Sequence, residues 1–587
     1  MDNPDIFIKD GMIFFIGKYN EDVQLVASSI GILSASEIHH IELSKISKES
    51  LWKFMKYAHS YFIQNNQEYM ADMFTEIKAI YKKLYEHFEL VARKNFSRFD
   101  DLLQYQKDDC CLGYYRKDNM FALEQGLGKT MEGIATSEIL QSKLTLIIMP
   151  AVSKPNWVKH LFNWGVNMTE ITLLDTERQR ISPYERYIVV NYDLLQKWES
   201  WLKKKNITLI IADECHKAKN VDAHRTRIIH EIQSVCKSRL CLLSGTPASN
   251  KVDDLFAYLQ LTKNPLGASK TEFLKKFTKE VQYKNGGKRI IGDNLVMLNI
   301  ALSNLIVRRK KKDCLSIPDK VYHKLNFDIG NYKEEYDLAM EQLMEALSKR
   351  KKGGVELCLS QLNIIACKSK VKGIIAFAET LANELQTVEV EDTFINKDNT
   401  RVITTKEIEV QSKVVIFCPF IEPLNMLQEH FKQRCVRIDG KVASSKRLAI
   451  AEKFLKSRRI NFFIGQTDAA GIAIDLINTE KDKHLPSVHY VIHVGFPYTN
   501  AQLEQANDRT HRIGTYKNPH IYYTVADGSI DDKILALIQR KYNDVSIVID
   551  GEKDIIDFNE VSFDDLELLA MELEEELTNE KTLKDWI

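Results

Sequence analysis

A glycine-rich turn, Gly126-Leu127-Gly128-Lys129-Thr130, has the residue types of a phosphate-binding loop. A short apolar stretch precedes it, and apolar residues at helical spacing follow it from Met131 onward. Glycines let backbone N–H groups close around phosphate oxygens, and the amino end of a helix adds positive potential. We predict that Lys129 reaches the β and γ phosphates of a nucleotide and that the Thr130 hydroxyl ligates Mg²⁺.

Two features keep a plainer interpretation of this turn open. Leu123 stands where the usual motif has its first glycine, and Gly-Lys-Thr also occurs by chance at ordinary helix starts. The rest of the chain has to decide between a phosphate site and a simple turn.

A second candidate site follows the apolar run Ile207–Ala212, which predicts a buried strand. That run ends in two adjacent carboxylates, Asp213 and Glu214. Two buried acids are costly without a cation nearby. We predict that Asp213 holds Mg²⁺ and that Glu214 orients and deprotonates an attacking water. Together with the phosphate loop, this pattern indicates a nucleoside triphosphatase.

Further polar residues stand where a nucleotide site needs them. Gln106, with Tyr105 beside it, precedes the phosphate loop by one short helix, and a glutamine can hydrogen-bond the adenine edge. Ser244 and Thr246 follow another apolar strand and could relay the state of the nucleotide. Each of these signals is weak alone and gains weight from its position.

Near the carboxyl end, Gln505, Arg509 and Arg512 are spaced by four and three residues, which places them on one face of a predicted helix. The plain interpretation is a charged surface. The functional one is a pair of arginine fingers that act on the transferred phosphoryl group in cis, each worth roughly a thousandfold in rate.

In this order and spacing, the motifs resemble those of the SWI/SNF-related, helicase-like ATPases of helicase superfamily two, from about Phe99 to Lys541. The segment Gln505–Gly514 is the most specific of them, because related RNA helicases usually carry Gly where this chain has Asp508 and lack the His-Arg-Ile-Gly continuation.

The resemblance implies two RecA-like lobes, ATP with Mg²⁺ as cofactors, and duplex or branched DNA as partner, contacted at its backbone without sequence preference. It also implies translocation along one strand, usually without strand separation. By position it implies an adenine contact for Gln106, a ribose contact for Asp475 and a nucleic-acid contact for Thr467. Arg308 and Arg309 match the family's Leu-Arg-Arg region before the second lobe. Departures from the family pattern are Leu123, Cys215, Asp468, Ala470 and Ala473, and none removes a group that hydrolysis requires.

The length of 587 residues is too great for one core. We predict an α/β protein with two parallel-sheet lobes, helical insertions and a small α+β accessory domain at the amino end. The predicted boundaries are 1–97 for the accessory domain, 98–325 for lobe one with a helical protrusion, 326–545 for the protrusion and lobe two, and 546–587 for an acidic tail. Residues 266–385 are expected to be mostly helical, with a second α/β unit starting near Lys413.

A net charge of zero hides an uneven distribution. From Glu552 onward thirteen Asp or Glu face three Lys, whereas Arg308–Lys312 is the densest basic run. That run is read as a solvated face or linker, with a nuclear-import signal as the less favoured interpretation. The acidic tail could compete with DNA for a basic cleft, or it could be a solvated helix.

No apolar run approaches membrane-spanning length, the first residues lack signal-peptide features, and the ten cysteines are scattered. We therefore expect an intracellular, soluble monomer with reduced thiols.

Three functions remain open at this point. The first is a DNA-stimulated ATPase that translocates on DNA and remodels DNA or protein–DNA complexes. The second is a strand-separating helicase on DNA or RNA, which an unwinding assay distinguishes from the first. The third is a nucleic-acid-binding scaffold that has lost turnover, which measurable ATP hydrolysis excludes.

Overall fold

The computed structural model describes residues 6–16, 18–35, 38–59, 63, 67–175, 181–245, 252–282, 288–348, 352–395, 401–467, 474–479, 482, 484–497 and 500–535. Within them the chain forms two compact units. The first holds residues up to Gln282 together with Ile290–Lys310, and the second begins at Lys311. The predicted acidic tail lies outside the described residues, as do Thr246, Asp468, Ala470 and Ala473. None of the described helices is long and apolar enough to cross a membrane.

The amino-terminal part of the first unit is a small antiparallel sheet with three helices. Its four strands are ordered β1-β2-β4-β3. Ile13 and Phe15 point from β2 into a buried core that continues without interruption into the rest of the first unit. The elements are β1 (Ile6–Lys9), β2 (Met12–Ile16), α1 (Glu21–Ser29), β3 (Leu33–Ala35), β4 (Ile38–Glu42), α2 (Lys48–Ala58) and α3 (Gln67–Asn95).

The main sheet of the first unit has seven parallel strands in the order β13-β5-β10-β9-β6-β8-β7. Its inner strands are buried on both faces, which explains their continuous apolar runs. The strands are β5 (Asp118–Leu123), β6 (Thr145–Met149), β7 (Ile171–Leu173), β8 (Tyr187–Asn191), β9 (Leu209–Asp213), β10 (Arg239–Ser244) and β13 (Ile306–Arg309).

Helices lie in most of the connections between these strands, because parallel pairing needs a crossover connection. Two further strands, β11 (Thr278–Gln282) and β12 (Lys288–Gly292), form a separate two-stranded sheet. The helices are α4 (Gln104–Tyr115), α5 (Lys129–Ile139), α6 (Lys154–Asn163), α7 (Leu195–Leu202), α8 (His224–Cys236), α9 (Phe256–Leu261), α10 (Lys270–Phe277) and α11 (Leu295–Leu302).

The second unit contains a six-stranded parallel sheet in the order β14-β21-β20-β17-β19-β18 and a long β15-β16 hairpin. Its elements are α12 (Lys311–Cys314), β14 (Val321–Phe327), α13 (Lys333–Ser348), α14 (Lys352–Asn383), β15 (Leu385–Ile395), β16 (Arg401–Gln411), β17 (Lys413–Cys418), α15 (Ile421–Phe431), β18 (Cys435–Ile438), α16 (Ser444–Lys456), β19 (Phe462–Gln466), β20 (Val488–His493), α17 (Asn500–Asn507) and β21 (His520–Ala526).

The predicted fold class is confirmed, and strand β17 of the second sheet begins at Lys413, although that sheet already includes β14 from Val321. The expectation that residues 266–385 are mostly helical is only partly right, because β11, β12, β13 and β14 lie in that range. Strand β14 pairs with β21, which is about two hundred residues away in the chain, so no local pattern announces it. The predicted boundaries at residues 97, 325 and 545 stay predictions.

The basic run Arg308–Lys312 is solvated only in part, because Lys312 is exposed and the other four cations are half-buried or buried. The division between the two units falls inside this run, between Lys310 and Lys311. Arg308 and Arg309 end strand β13, and Arg308 Nη1 donates to the carbonyls of Ala122 and Gly245 at 3.1 and 3.3 Å. Arg309 grips the buried Asp109 carboxylate, and Lys311 is 4% exposed. Three of the five cations therefore hold buried structure together.

The second unit carries a built-in sensitivity to acid at His493, the last residue of β20. Its ring is fully buried, stacks on Phe417 and contacts Asn507 Oδ1 through Nε2 at 2.7 Å. Burial lowers the pKa of His493 to about 4. As pH falls from about 6.5 towards 4, this histidine binds a proton in the unfolded chain but stays neutral in the folded one. The free energy of unfolding therefore decreases in that pH window.

We expect His493→Gln to remove part of this acid sensitivity, because a glutamine amide does not titrate and can still donate to Asn507. The free energy of unfolding is measured by urea titration at several pH values. Between about pH 6.5 and 4, its decrease per pH unit should be smaller in the variant than in wild type, by up to about 1.4 kcal/mol. The exposed His484→Gln variant is the control and should keep the wild-type slope. An unchanged slope in His493→Gln would contradict the assignment.

Candidate nucleotide site and arginine cluster

The phosphate loop has the backbone geometry that its glycines predict. Gly126 and Gly128 have φ values of 90° and 80°, in the left-handed region that favours glycine. A Cβ on Gly128 would lie 2.6 Å from Gln106 Nε2, so a larger residue there would have to displace that amide. Helix α5 begins directly at Lys129, which points its first backbone N–H groups towards the loop. This arrangement suits an anion.

Residues of helix α4 hold the loop from behind. Tyr105 donates from its hydroxyl to the Leu127 carbonyl at 2.7 Å, and Gln106 donates from Nε2 to the same oxygen at 3.1 Å. Gln106 Oε1 also accepts from the Leu103 N–H, and the side chain is 5% exposed. Gln106 thus lies beside the loop, as its position predicted, and supports the loop backbone. The predicted adenine contact stays a prediction.

The carboxylate pair lies at the carboxyl end of β9, and β10 separates that strand from β5, which leads into the loop. Asp213 accepts from Trp157 Nε1 at 2.7 Å and from the Glu214 N–H at 2.9 Å. Glu214 has φ of 48°, an uncommon value for a residue with a side chain. Its carboxylate lies 3.3 Å from His216 Nδ1. The sharp turn after Asp213 keeps both carboxylates at the same strand end.

The charges of this site are strongly desolvated. Burial and the neighbouring Glu214 raise the pKa of Asp213 to about 6, and Trp157 and Lys129 act in the opposite direction. Lys129 Nζ donates to the Leu123 carbonyl at 3.0 Å. A buried carboxylate of this kind is stabilised by a divalent cation, and oxygen donors such as Asp213 and the Thr130 hydroxyl are those that Mg²⁺ prefers. The residues present therefore fit a nucleotide with Mg²⁺.

A second buried acid lies in the first turn of α5. Glu132 is fully buried, and neither carboxylate oxygen has a hydrogen-bond partner within the described part of the chain. Burial raises its pKa well above the usual value, and Asp109 adds to the rise. Arg309 Nε donates to Asp109 Oδ1 at 3.0 Å and to Asp109 Oδ2 at 3.2 Å. This contact places a cation near both Asp109 and Glu132. Strand β13 is in this way tied to the helix that carries Gln106.

In the second unit, the two predicted arginines meet at Asp475. Arg512 Nη1 lies 2.7 Å from Asp475 Oδ1, and Arg509 Nη1 lies 4.0 Å from the same oxygen. Arg509 is 5% exposed and also donates to the Ile474 carbonyl at 3.2 Å and the Gln505 carbonyl at 3.1 Å. Gln505 is half-buried. The structure therefore brings together Gln505, Arg509, Arg512 and Asp475.

The expectation that Gln505, Arg509 and Arg512 lie on one helix was wrong. Helix α17 ends at Asn507, and the chain continues in tight turns in which Arg509 N–H bonds the Ala506 carbonyl. Asp508 explains the break, because its carboxylate is drawn towards two lysines from a different segment. The arginines converge through these turns and not through helical periodicity.

Asp508 is the centre of a buried charge cluster in the second unit. Its Oδ1 accepts from Lys311 Nζ at 2.6 Å and lies 2.9 Å from Lys320 Nζ. Lys311 also donates to the His511 carbonyl, and Lys320 donates to Glu504 Oε2 at 2.8 Å. Burial opposes ionisation of Asp508, but the two lysines hold the pKa of its carboxyl well below its usual range. The segment that opens the second unit is thus locked to the arginine motif.

Several of these residues carry no sequence signal of their own. Trp157 is 1% exposed, and its indole N–H donates to Asp213. Asp109, Glu132 and Lys320 were not singled out. An acid at a position that should be apolar, such as Glu132 on the buried face of α5, is the one signal that was available. Thr467 is 1% exposed, and its predicted contact with nucleic acid stays a prediction.

Comparison with known protein families decides the family. The model of the SNF2-related domain matches residues 37–372, which is more than half of the chain. The chain belongs to the SNF2-related family. A second model, the helicase conserved C-terminal domain, matches residues 397–514. The predicted resemblance is therefore confirmed.

Individual SNF2-related proteins are distant in sequence. The chain is 26% identical to the human "DNA annealing helicase and endonuclease ZRANB3" over 82% of its own length and 44% of that protein. It is 24% identical to "Uncharacterized ATP-dependent helicase MG018" of Mycoplasma genitalium, over 80% of its length and 44% of that protein. The chain thus spans less than half of these relatives.

Among solved structures, the chain is similar to the "Sulfolobus solfataricus SWI2/SNF2 ATPase core in complex with dsDNA". The two are 21% identical, the match covers 77% of this chain and 94% of that one, and the TM-score is 0.35.

We expect Asp508→Asn to destabilise the second unit, because it leaves the buried Lys311 without its counter-charge, while Lys320 keeps its pair with Glu504. The cost should be about 3–5 kcal/mol in the free energy of unfolding. Urea unfolding followed by circular dichroism measures it. The matched control is Asp532→Asn, which breaks an exposed 2.7 Å pair with Lys324 and should cost less than about 1 kcal/mol. Equal effects in both variants would contradict a stabilising role for the Asp508 cluster.

Proposed function

We propose that this chain is a DNA-stimulated ATPase that translocates on duplex or branched DNA and remodels DNA or protein–DNA complexes. One observation carries the proposal: the buried Asp213, the half-buried Glu214 and the phosphate loop lie at the same edge of one parallel sheet in a member of the SNF2-related family. The names of two relatives, a DNA annealing helicase and an ATP-dependent helicase, agree with it.

Each residue of the first unit has a definite task in this proposal. The loop N–H groups and Lys129 bind the phosphates, while Thr130 and Asp213 hold the cation. Mg²⁺ supplies positive charge that stabilises the charge developing on the phosphoryl oxygens. Glu214 orients a water and takes its proton. The strained turn after Asp213 helps to direct the Glu214 carboxylate towards that water. Gln106 keeps the loop in shape and contacts the adenine.

In the second unit, we propose that Arg509 and Arg512 stabilise the transferred phosphoryl group and that Asp475 contacts the ribose. The pairing of Arg512 with Asp475 at 2.7 Å supports a role in keeping the guanidinium ordered before it acts. Gln505 supports Arg509, because its backbone carbonyl accepts a hydrogen bond from Arg509 Nε at 3.1 Å.

The substitution Arg512→Ala should lower the ATPase rate by roughly a thousandfold and leave ATP binding nearly unchanged, as for other arginine fingers. Steady-state phosphate release measures the first quantity, and binding of a fluorescent ATP analogue the second. Arg459→Ala, an exposed arginine of the same unit, is the control and should hydrolyse ATP at the wild-type rate. A wild-type rate in Arg512→Ala would remove Arg512 from the mechanism.

The DNA part of the proposal predicts which polymer stimulates hydrolysis. ATPase rates should rise with duplex and forked DNA more than with single-stranded DNA or RNA, and the stimulation should weaken with salt, because the contacts are to phosphates. A forked-substrate assay tests the strand-separating alternative. Robust unwinding, or stimulation by RNA alone, would overturn the proposed activity.

A further inference from the structure

The first unit contains a cavity of about 620 Å³ at the sheet edge opposite the nucleotide site. It lies at the amino ends of β5 and β10, whereas the phosphate loop follows the carboxyl end of β5. Its wall comes from three parts of the chain: the amino-terminal sheet and helices, the main sheet, and the segment 262–305. One carboxylate, Asp118, lines it beside six cationic side chains: Lys45, Arg116, Lys117, Lys237, Arg239 and Lys263.

The surplus of positive charge is larger than the local structure needs. Four helices, α1, α4, α8 and α9, end at this cavity, and each carboxyl end carries about half a negative charge. These ends, Asp118 and Glu42, which pairs with Lys45 at 3.0 Å, offset about four of the six cations. About two positive charges remain for a ligand.

Two arginines form the rigid floor of the cavity. Arg239 Nη1 donates to the carbonyls of Tyr114 and Arg116 at 3.1 and 3.0 Å and thereby caps helix α4. Arg116 is 6% exposed and donates from Nη1 to the Asn304 carbonyl at 2.7 Å. Its Nε and Nη2 have no hydrogen-bond partner among the described residues. A buried guanidinium with two unpaired donors is costly, and a nearby anion reduces that cost.

The segments of the wall are fastened to each other before any ligand arrives. Asn304 donates from Nδ2 to the carbonyls of Ile30 and Lys45 at 2.9 and 3.0 Å, and its Oδ1 accepts from the Ser47 N–H. Asn264 donates to the Ser29 carbonyl at 2.9 Å. The amino-terminal part and the main sheet are therefore held in one preformed site.

The rim carries exposed lysines in an unusual backbone conformation. Lys237 and Lys263 both have φ of 54°, and each follows the last turn of a helix. A left-handed residue at such a helix end is ordinarily Gly or Asn. Lysine at both places has a strained backbone conformation that glycine would adopt more easily, and it adds two exposed cations beside Lys117.

We propose that this basic cavity binds phosphate groups of the DNA backbone and gives the first unit a second DNA contact away from the nucleotide edge. The inference rests on the proposed function, since it takes DNA as the ligand. The one aromatic residue among the described lining residues is Tyr115, and its hydroxyl is bound to the Leu84 carbonyl. A site with six cations and a single aromatic ring among its described lining residues suits phosphates better than bases. The exposed lysines at the rim suit a polymer that continues beyond the cavity.

The test measures DNA affinity against salt for Lys237→Gln/Lys263→Gln, using fluorescence anisotropy of a short labelled duplex. Loss of two phosphate contacts should weaken binding about tenfold at low salt and lower the slope of log K against log salt by about two. The control is Lys82→Gln/Lys204→Gln, two exposed lysines of the same unit outside the cavity, which should keep the wild-type slope. Lys117→Gln repeats the test if the double variant fails to fold.

Each outcome bears on the proposal. A wild-type protein that DNA stimulates, with equal slopes in both double variants, overturns the cavity assignment and leaves the proposed function standing. A wild-type protein that binds no DNA contradicts the proposed function itself. Calorimetry with tripolyphosphate, with the phosphate loop filled by a non-hydrolysable ATP analogue, provides the last arm. If Lys237→Gln/Lys263→Gln loses tripolyphosphate binding and keeps wild-type DNA binding, the site is one for a free polyphosphate and the DNA proposal is overturned.

Discussion

The desolvated Asp213 carboxylate is the constraint on which the nucleotide site depends. Its burial at the end of β9 is costly, and Trp157 and the Glu214 N–H repay only part of that cost. In the proposed function, a Mg²⁺ ion held with the nucleotide offsets the rest of that cost. The same turn that buries Asp213 gives Glu214 its left-handed backbone and directs the second carboxylate. The proposed roles in binding and in hydrolysis therefore depend on one strand end.

Buried charge also organises the chain on either side of Lys310. In the first unit, Arg309 extends strand β13 and grips Asp109 on the helix that supports the phosphate loop. In the second unit, Lys311 grips Asp508, the neighbour of Arg509. Two residues that are two apart in sequence therefore each pair with a buried acid: one on the helix that supports the phosphate loop, the other in the arginine cluster. Replacing one partner of either pair leaves a buried charge without its counter-charge, which is costly.

The sequence was sufficient for the two parallel-sheet lobes, the phosphate loop and the position of Asp213, because these depend on apolar runs and glycine turns that are local in the chain. It did not reveal β14, whose partner β21 is distant, or the end of α17 at Asn507, which depends on lysines far away in sequence. The role of Trp157 was also hidden, since an indole that packs in a core and one that orients a carboxylate have the same spacing. Ion pairs across long separations are set by tertiary structure alone.

ATP turnover by Glu214→Gln tests the central claim most directly, because this change keeps the shape of the side chain and removes its ability to accept a proton. With duplex DNA and Mg²⁺ present, we predict that phosphate release falls by at least about a hundredfold while binding of a fluorescent ATP analogue stays within a few-fold of wild type. Turnover at the wild-type rate would contradict the account of this site, and absence of turnover in the wild-type chain would favour a scaffold that has lost hydrolysis.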